Sequence, residues 1–366
     1  MKLERVIISG GGTGGHIFPA ISIANRIKLE NPDAEILFIG AEGKMEMDKV
    51  PEAGYEIKGL WISGFQRRLT FKNLLLPFKI VASLLKARAI VRQFKPQAVI
   101  GVGGYASGPT LKIASLIGIP TILQEQNSFP GKTNKILAKS ATKICVAYEK
   151  LERFFPEEKI VLTGNPVRQK VIQIDGLYEK AIKYFGLKDG QRTLLVVGGS
   201  LGAKTLNDSL KKDLKLLQSA GVQVIWQCGN YQAEELQAWK KNQDMTGVSL
   251  NVFIKEMELA YAAADIIVSR AGAIALSELS IIGKPIVLVP SPNVAEDHQT
   301  KNAMALVEKD AAILVKDTEA RNKLVSNVLT LFQNSERQET MSNNLKQLAI
   351  NNADERIVHV IKSIVK

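Results

Sequence analysis

Cysteine and histidine are scarce in this chain, two and three among 366 residues, and that scarcity removes several classes of protein. Cys145 and Cys228 stand far apart and each follows a strand-like run, so they read as buried free thiols in a reducing compartment. One pair could not supply a disulfide framework. No His/Cys cluster has metal-ligand spacing and no D-x-D triplet occurs, so neither a metal nor another cofactor is expected. Aromatic residues make up only 6% and no nucleic-acid-binding motif is present, which argues against a nucleic acid partner. Long apolar runs are missing as well. The uncharged stretch 96–111 is too short and too interrupted by glycine and proline to span a bilayer. Met1-Lys2-Leu3-Glu4 leads straight into a strand, so no signal peptide is expected.

Acidic residues are locally scarce too. The net charge is +12, and between Ile57 and Tyr148 fourteen Lys or Arg face a single acid, Glu125. So one-sided a block draws a protein toward an anionic surface.

What is present is an alternation of strand-like and helix-like segments on a chain too long for one core. Val/Ile/Leu-rich runs at 5–9, 35–40, 55–60, 98–103, 121–124 and 143–147 read as strands buried on both faces, with helical periodicity at 18–29, 77–92 and 131–139. The pattern restarts at 193–197, and strands follow at 222–227, 248–253, 266–269, 285–289 and 312–315. The expectation is an α/β protein of two Rossmann-like parallel-sheet domains, 1–163 and 164–341, with a final helical segment 342–366 packing back on the first.

Each half opens with strand, glycine turn and helix. Gly10-Gly11-Gly12-Thr13-Gly14-Gly15-His16 follows the first strand, and Gly198-Gly199-Ser200-Leu201-Gly202-Ala203 follows 193–197. Such turns bring backbone close to a ligand, and the helix behind them offers N–H groups to anions. The first nominally fits a dinucleotide fingerprint. That fingerprint wants an acid ending the second strand, which here ends in Gly40-Ala41, and a nicotinamide site is disfavoured. His16 titrates near neutral pH and is either a base or a helix-start cap. Gln124-Glu125-Gln126-Asn127 ends a strand at the carboxyl edge of the sheet, where such folds bind ligands. Glu125 either neutralises nearby lysines or is held for chemistry, and its strand-end position favours the second. Glu278, about one turn inside the helix opened by Gly272, suits either the helix dipole or a ribose. Asp297 caps the next helix or, with His298 and Gln299, faces a sugar.

Seven motifs, Gly10–His16, Gly103–Tyr105, Glu125–Asn127, Gly164–Arg168, Gly198–Ala203, Gly272–Glu278 and Asp297–Gln299, stand in an order and spacing that resemble the MurG family over the whole chain. Members of that family move N-acetylglucosamine (GlcNAc) from UDP-GlcNAc to lipid I, giving lipid II for peptidoglycan. The resemblance implies a GT-B fold with donor and acceptor meeting in a central cleft. It implies that Glu278 takes the ribose, that the Ile254 backbone reads the uracil, and that Ser200 and Arg168 lie near the diphosphate. Ala273, Ile274, Ala275, Leu276 and Ser277 would line nucleotide and sugar, Gln299 the GlcNAc hydroxyls. Thr13, Gly14, Gly15 and Asn127 would approach the sugar from the first domain, and Gly104, Tyr105 and Gln126 the acceptor. Leu201 stands where family members often carry glutamine, and His298 where some do.

An α-linked donor and a β-linked product require inversion in one displacement. His16 is the first candidate for the base that takes the acceptor proton, Glu125 the second. Lys72, Lys79 and Lys86 recur every seven residues beside Leu75 and Phe78, a pairing that suits either a core helix with a solvated edge or a surface dipping into anionic lipid. A lipid-linked acceptor favours the second, at the cytoplasmic face of the membrane, alongside other proteins of cell-wall synthesis. Two alternatives remain at this point: a GT-B-fold UDP-GlcNAc 2-epimerase, and a non-catalytic nucleotide-sugar or lipid-binding protein.

Overall fold

The computed structural model describes residues 2–63 and 76–365. Its chain divides into two compact units, one formed by Met1–Val167 with Ile350–Lys366, the other by Arg168–Ala349.

In the first unit the strands are β1 (Arg5–Ser9), β2 (Glu35–Ala41), β3 (Glu56–Leu60), β4 (Ala98–Gly101), β5 (Thr121–Glu125), β6 (Lys143–Val146) and β7 (Ile160–Leu162). The helices used below are α1 (Gly14–Glu30), α2 (Glu46–Glu52), α3 (Leu76–Phe94), α4 (Ser107–Leu116) and α5 (Lys132–Leu137). All the pairings are parallel, in the order β3-β2-β1-β4-β5-β6-β7. Alternation along the strands builds a core on each face. Val6 and Ile8 pack with Ile17, Ile23 and Ile27 of α1, whereas Ile7 packs on the other side with Ala87, Ile90 and Val91 of α3. Three-residue β7 escapes the sequence reading, because so short an edge strand carries no periodicity.

The second unit holds α6 (Gln169–Ile172), α7 (Tyr178–Phe185), β8 (Thr193–Val197), α8 (Lys204–Ser219), β9 (Gln223–Gln227), α9 (Ala233–Lys240), β10 (Val248–Asn251), α10 (Met257–Ala263), β11 (Ile266–Ser269), α11 (Ala273–Ile282), β12 (Ile286–Leu288), α12 (His298–Val307), β13 (Ile313–Leu314), α13 (Asp317–Phe332) and α14 (Ser335–Leu348). Its parallel sheet runs β10-β9-β8-β11-β12-β13. One continuous apolar cluster fills it, from Leu194 through Trp226 and Ile267 to Met341 and Leu345.

The final segment differs from the expectation of one run from residue 342. Met341 and Leu345 keep α14 in the second unit's core. The helix breaks across 349–352, and α15 (Ala353–Ile364) returns to the first unit, where Ile357, Val358 and Ile361 pack with α1. The boundary between units lies at Val167/Arg168 rather than at 163/164. Gly164 sits where the returning chain passes, since a Cβ there would lie 2.8 Å from Cβ of Ile350.

Glu30 ties α15 to α1, pairing with Lys362 and accepting from Arg26 Nε at 2.7 Å. Burial pushes its carboxyl up, but Lys362 and Arg26 outweigh burial and hold it below the ordinary 4.5. Such a pair stabilises above the ordinary carboxyl range and is lost as pH falls through the lowered value. Glu30→Gln should therefore cost about 0.5–1 kcal/mol at neutral pH in urea denaturation. The gap to wild type should close on acidification; a gap independent of pH would refute the ion-pair account.

Candidate active site

In a parallel sheet, ligands bind beyond the carboxyl ends of strands where the strand order reverses. In the first unit that point lies between β1 and β4, and in the second between β8 and β11. The glycine turns that follow these strands stand at those two points.

In the first unit, the turns after β1 and β4 interlock. Gly11 N–H donates to the Gly103 carbonyl at 3.2 Å. A Cβ on Gly10 would lie 2.6 Å from that carbonyl oxygen, and one on Gly104, at φ +87°, 2.5 Å from the Gly11 oxygen. Backbone lies on backbone, so glycine is required. Thr13 precedes α1 without capping it through its side chain, and Gly14 and Gly15 fill the first turn, so N–H groups there keep their anion-binding capacity. His16 lies in that turn. Its Nδ1 sits 2.9 Å from the Gly11 carbonyl oxygen. A carbonyl only accepts, so Nδ1 carries the hydrogen and, in the neutral ring, Nε2 carries the lone pair. The Gly11 carbonyl thereby fixes the tautomer and orientation of the His16 ring.

Glu125 is the last residue of β5. It is 1% exposed. Oε1 accepts from Asn127 N–H at 3.0 Å and Asn127 Nδ2 at 3.1 Å. Oε2 accepts from Gly131 N–H at 3.2 Å and Asn134 Nδ2 at 2.8 Å. Burial pushes the carboxyl up, and these four donors act against that rise. They are neutral amides of residues close in sequence, not the lysines of the basic block. Gln126, expected at the acceptor, is buried too; its Nε2 donates to the Val102 carbonyl at 2.7 Å. Gly104 holds the turn, and Tyr105 beside it is exposed.

In the second unit, Gly202 lies against the turn after β9, where a Cβ on Gly229 would meet Gly202 N at 2.0 Å. Asn230 and Tyr231 N–H groups donate to the carbonyls of Ser200 and Leu201 at 3.1 Å each, holding Ser200 outward. Behind this loop buried Asn207 accepts from Trp226 Nε1 at 2.9 Å and donates to the carbonyl of Cys228 at 3.0 Å. Gly272 opens α11 with no side-chain cap, leaving Ala273, Ile274 and Ala275 partly exposed in the first turn; Ser277 is half-buried and Leu276 turns into the core. Glu278 is buried one turn further in. Its Oε1 accepts from Arg168 Nε at 3.4 Å and Nη2 at 3.3 Å, and its Oε2 from the Tyr261 hydroxyl at 3.5 Å. Burial raises the Glu278 carboxyl, and the Arg168 guanidinium opposes that rise.

Two expectations are refined here. Ile254 N–H is already taken by Gln227 Oε1 at 2.9 Å, so this half of its backbone is engaged within the protein. Gln299 Oε1 accepts from Ser291 N–H at 2.8 Å, so its amide NH2 is the group it can offer outward. Asp297 stands at the N-cap of α12, but its carboxylate accepts from the Thr300 hydroxyl at 2.7 Å instead of capping the backbone.

On α3, Phe78, Val81 and Leu85 are 70%, 56% and 64% exposed. Lys79 lies 5.3 Å from the centre of the Trp61 ring, and Lys86 pairs with Glu42 at 2.8 Å. Lys72 and Leu75, expected on the same surface, lie outside the described residues. Among the described residues no helix is long and apolar enough to cross a membrane.

Two parallel α/β units, each with a glycine turn and an open helix N-terminus at its switch point, are those of a glycosyltransferase of the GT-B class. Residues 6–146 match the glycosyltransferase family 28 N-terminal domain, and residues 193–357 match the C-terminal domain. The chain belongs to glycosyltransferase family 28. It is 52% identical over 366 residues to a UDP-N-acetylglucosamine–N-acetylmuramyl-(pentapeptide) pyrophosphoryl-undecaprenol N-acetylglucosamine transferase of Flavobacterium psychrophilum, covering 100% of this chain and 99% of the relative. The protein of the same name from Cytophaga hutchinsonii is 55% identical, over 100% of this chain and 98% of the relative. Among solved structures, MurG of Acinetobacter baumannii superposes with a TM-score of 0.80 at 30% identity, covering 99% of this chain and 100% of that one. A UDP-GlcNAc 2-epimerase from Neisseria meningitidis reaches 0.68 at 16% identity, a likeness of fold alone.

If Glu125 organises the loop, Glu125→Ala should destabilise the protein by about 3 kcal/mol, because buried amide donors lose their acceptor. Urea denaturation measures this, and a loss below about 0.5 kcal/mol, the scale of an ordinary surface change, would contradict it.

Proposed function

We propose that this chain transfers GlcNAc from UDP-GlcNAc to the C4 hydroxyl of the muramyl sugar of undecaprenyl-diphospho-MurNAc-pentapeptide, the step that completes the lipid-linked peptidoglycan precursor. The observation that carries the reading is identity of 52% and 55% over the full chain to relatives bearing that name. The epimerase alternative has only a shared fold behind it.

The geometry fits the chemistry. His16 Nε2 takes the proton of the C4 hydroxyl as its oxygen attacks the anomeric carbon. The bond from that carbon to the diphosphate breaks on the opposite face, and UDP leaves with the electron pair. Inversion follows from the single displacement. Glu278 accepts from the ribose hydroxyls, as a buried carboxylate with acceptors only can. Arg168 beside it, the Ser200 loop and the first turn of α11 stabilise the charge that grows on the departing diphosphate. The Ile254 carbonyl faces the base, and Gln299 donates to the GlcNAc hydroxyls. Thr13, Gly14, Gly15 and Asn127 meet the sugar from the first unit, with Gly104 and Tyr105 toward the acceptor. Glu125 acts through its loop and not as the base.

UDP release from UDP-GlcNAc, measured with and without a lipid I analogue, tests this. Release should depend on the acceptor, and His16→Ala should lower kcat by about 10²–10⁴-fold, the range for general-base loss. Release without acceptor would instead support the epimerase, and binding without release a non-catalytic protein.

The chain acts, in this reading, on the cytoplasmic face of the membrane, with Phe78, Val81 and Leu85 entering the interface while Lys79 and Lys86 meet anionic headgroups. Double substitution Phe78→Ser/Leu85→Ser should abolish sedimentation with vesicles containing anionic lipid and leave UDP-GlcNAc binding intact. Unchanged sedimentation would remove α3 from the interface.

A further inference from the structure

Glu46 lies outside every motif that marks the site, yet it is 1% exposed and stands directly behind the first glycine turn. It opens α2. Its Oε1 accepts from Ala41 N–H at 2.9 Å and its Oε2 from Gly12 N–H at 2.7 Å. On the other side of the same peptide group, the Gly11 carbonyl accepts from His16 Nδ1 at 2.9 Å. The Gly12 N–H and the Gly11 C=O belong to one planar, conjugated amide.

We infer that Glu46, the Gly11–Gly12 peptide and His16 form a relay in which the carboxylate polarises the amide and so makes His16 Nε2 a stronger base. The inference rests on His16 as the base of the reaction above; Glu46 touches no substrate and is a positioning residue. A carboxylate accepting from the amide N–H shifts electron density toward the carbonyl oxygen. That oxygen then holds Nδ1–H more strongly, and holds it most strongly when Nε2 has gained a proton and the ring is charged. A carboxylate directly on a histidine has the same effect in hydrolase triads; here a peptide bond stands between them.

The glycines make the relay possible. A Cβ on Gly11 would lie 2.2 Å from Cδ of Glu46, and one on Gly40 2.5 Å from its Cγ. Side chains at these positions would exclude the carboxylate. The other titratable groups on the neighbouring elements are engaged or turned outward. Glu42 pairs with Lys86 and Lys49 with Glu52, while Lys44, Asp48 and Tyr105 are exposed.

Glu46→Gln tests the inference, because it keeps size and removes charge. The readout is the pH titration of the His16 ring followed by nitrogen NMR on histidine-labelled protein, with His16→Ala assigning the resonance. Loss of the carboxylate should move the His16 titration to lower pH by about half a unit or more, the effect of removing a nearby opposite charge. The acid limb of kcat/KM should move the same way, and kcat should fall about tenfold with KM for UDP-GlcNAc unchanged, as for other groups that orient a reacting residue. A loop merely loosened would lower activity without moving the titration, and an unmoved titration overturns the relay. If Glu46→Gln does not fold, Glu46→Asp replaces it; its shorter side chain should also shift the titration downward, and no shift again overturns the relay. Should His16→Ala keep wild-type kcat, His16 is not the base, whereas the NMR result still decides the coupling.

Discussion

Close approach of backbone to backbone in the glycine turns at the strand ends is the constraint on which the structure depends. Parallel strands end together at one edge, and where strand order reverses, consecutive turns diverge and leave a gap. In the first unit the gap is closed by Gly10, Gly11, Gly103 and Gly104, packed so tightly that a Cβ on Gly104 would lie 2.5 Å from the Gly11 oxygen. In the second, an equally close backbone contact joins Gly202 to Gly229, between the turns after β8 and β9, beside the switch point. Without side chains, these turns present N–H groups and helix N-termini to whatever enters. The rest of each unit, from the two-faced core around β1 to the single core around β8, holds those strand ends in place.

Loops made of glycine have little stiffness of their own, because glycine loses the most conformational freedom on folding. Their order comes from buried polar side chains that reach them from behind. Glu46 serves the turn after β1, Glu125 the loop after β5, and Asn207 the loop after β9. Near the end of β11, Arg270 donates to the Val289 and Pro290 carbonyls and to Asp317, which also accepts from Thr205 of α8. Each such group is costly to bury alone and is buried together with backbone and side-chain partners equally in need of one. The acids therefore stabilise the loops and fix their geometry at once.

This arrangement explains what the sequence discloses. The strands and the helices between them are legible because Val/Ile/Leu runs and glycine punctuation reflect burial on both faces of a parallel sheet. The glycine turns are legible because no other residue takes their place. Glu46 is hidden, since its partners are the backbones of Ala41 and Gly12, and backbone partners leave no trace in side-chain pattern. Glu125 is visible but its role is not: a lone acid in a basic block suggests a lysine partner or a reactive group, whereas its four donors are neutral amides close in sequence. The division of the tail between α14 and α15 is equally hidden, because Met341, Leu345, Ile357 and Ile361 all read as one amphipathic run although they enter two different cores.

The two units also divide the electrostatics of the proposed reaction. The attacking hydroxyl must lose a proton to a group that is neutral beforehand, and the first unit offers one: an imidazole whose tautomer is fixed by a carbonyl. The leaving diphosphate gains negative charge and needs fixed positive potential, and the second unit offers that in Arg168 and the uncapped start of α11. Arg168 is half-exposed and paired with buried Glu278, where it stabilises a carboxylate that burial disfavours. A nucleoside diphosphate brings both things this pair needs, ribose hydroxyls for the carboxylate and phosphate oxygens for the guanidinium. In the proposed reaction the pair is thus electrostatically suited to a nucleoside diphosphate donor, and a sugar without the diphosphate would satisfy only one partner.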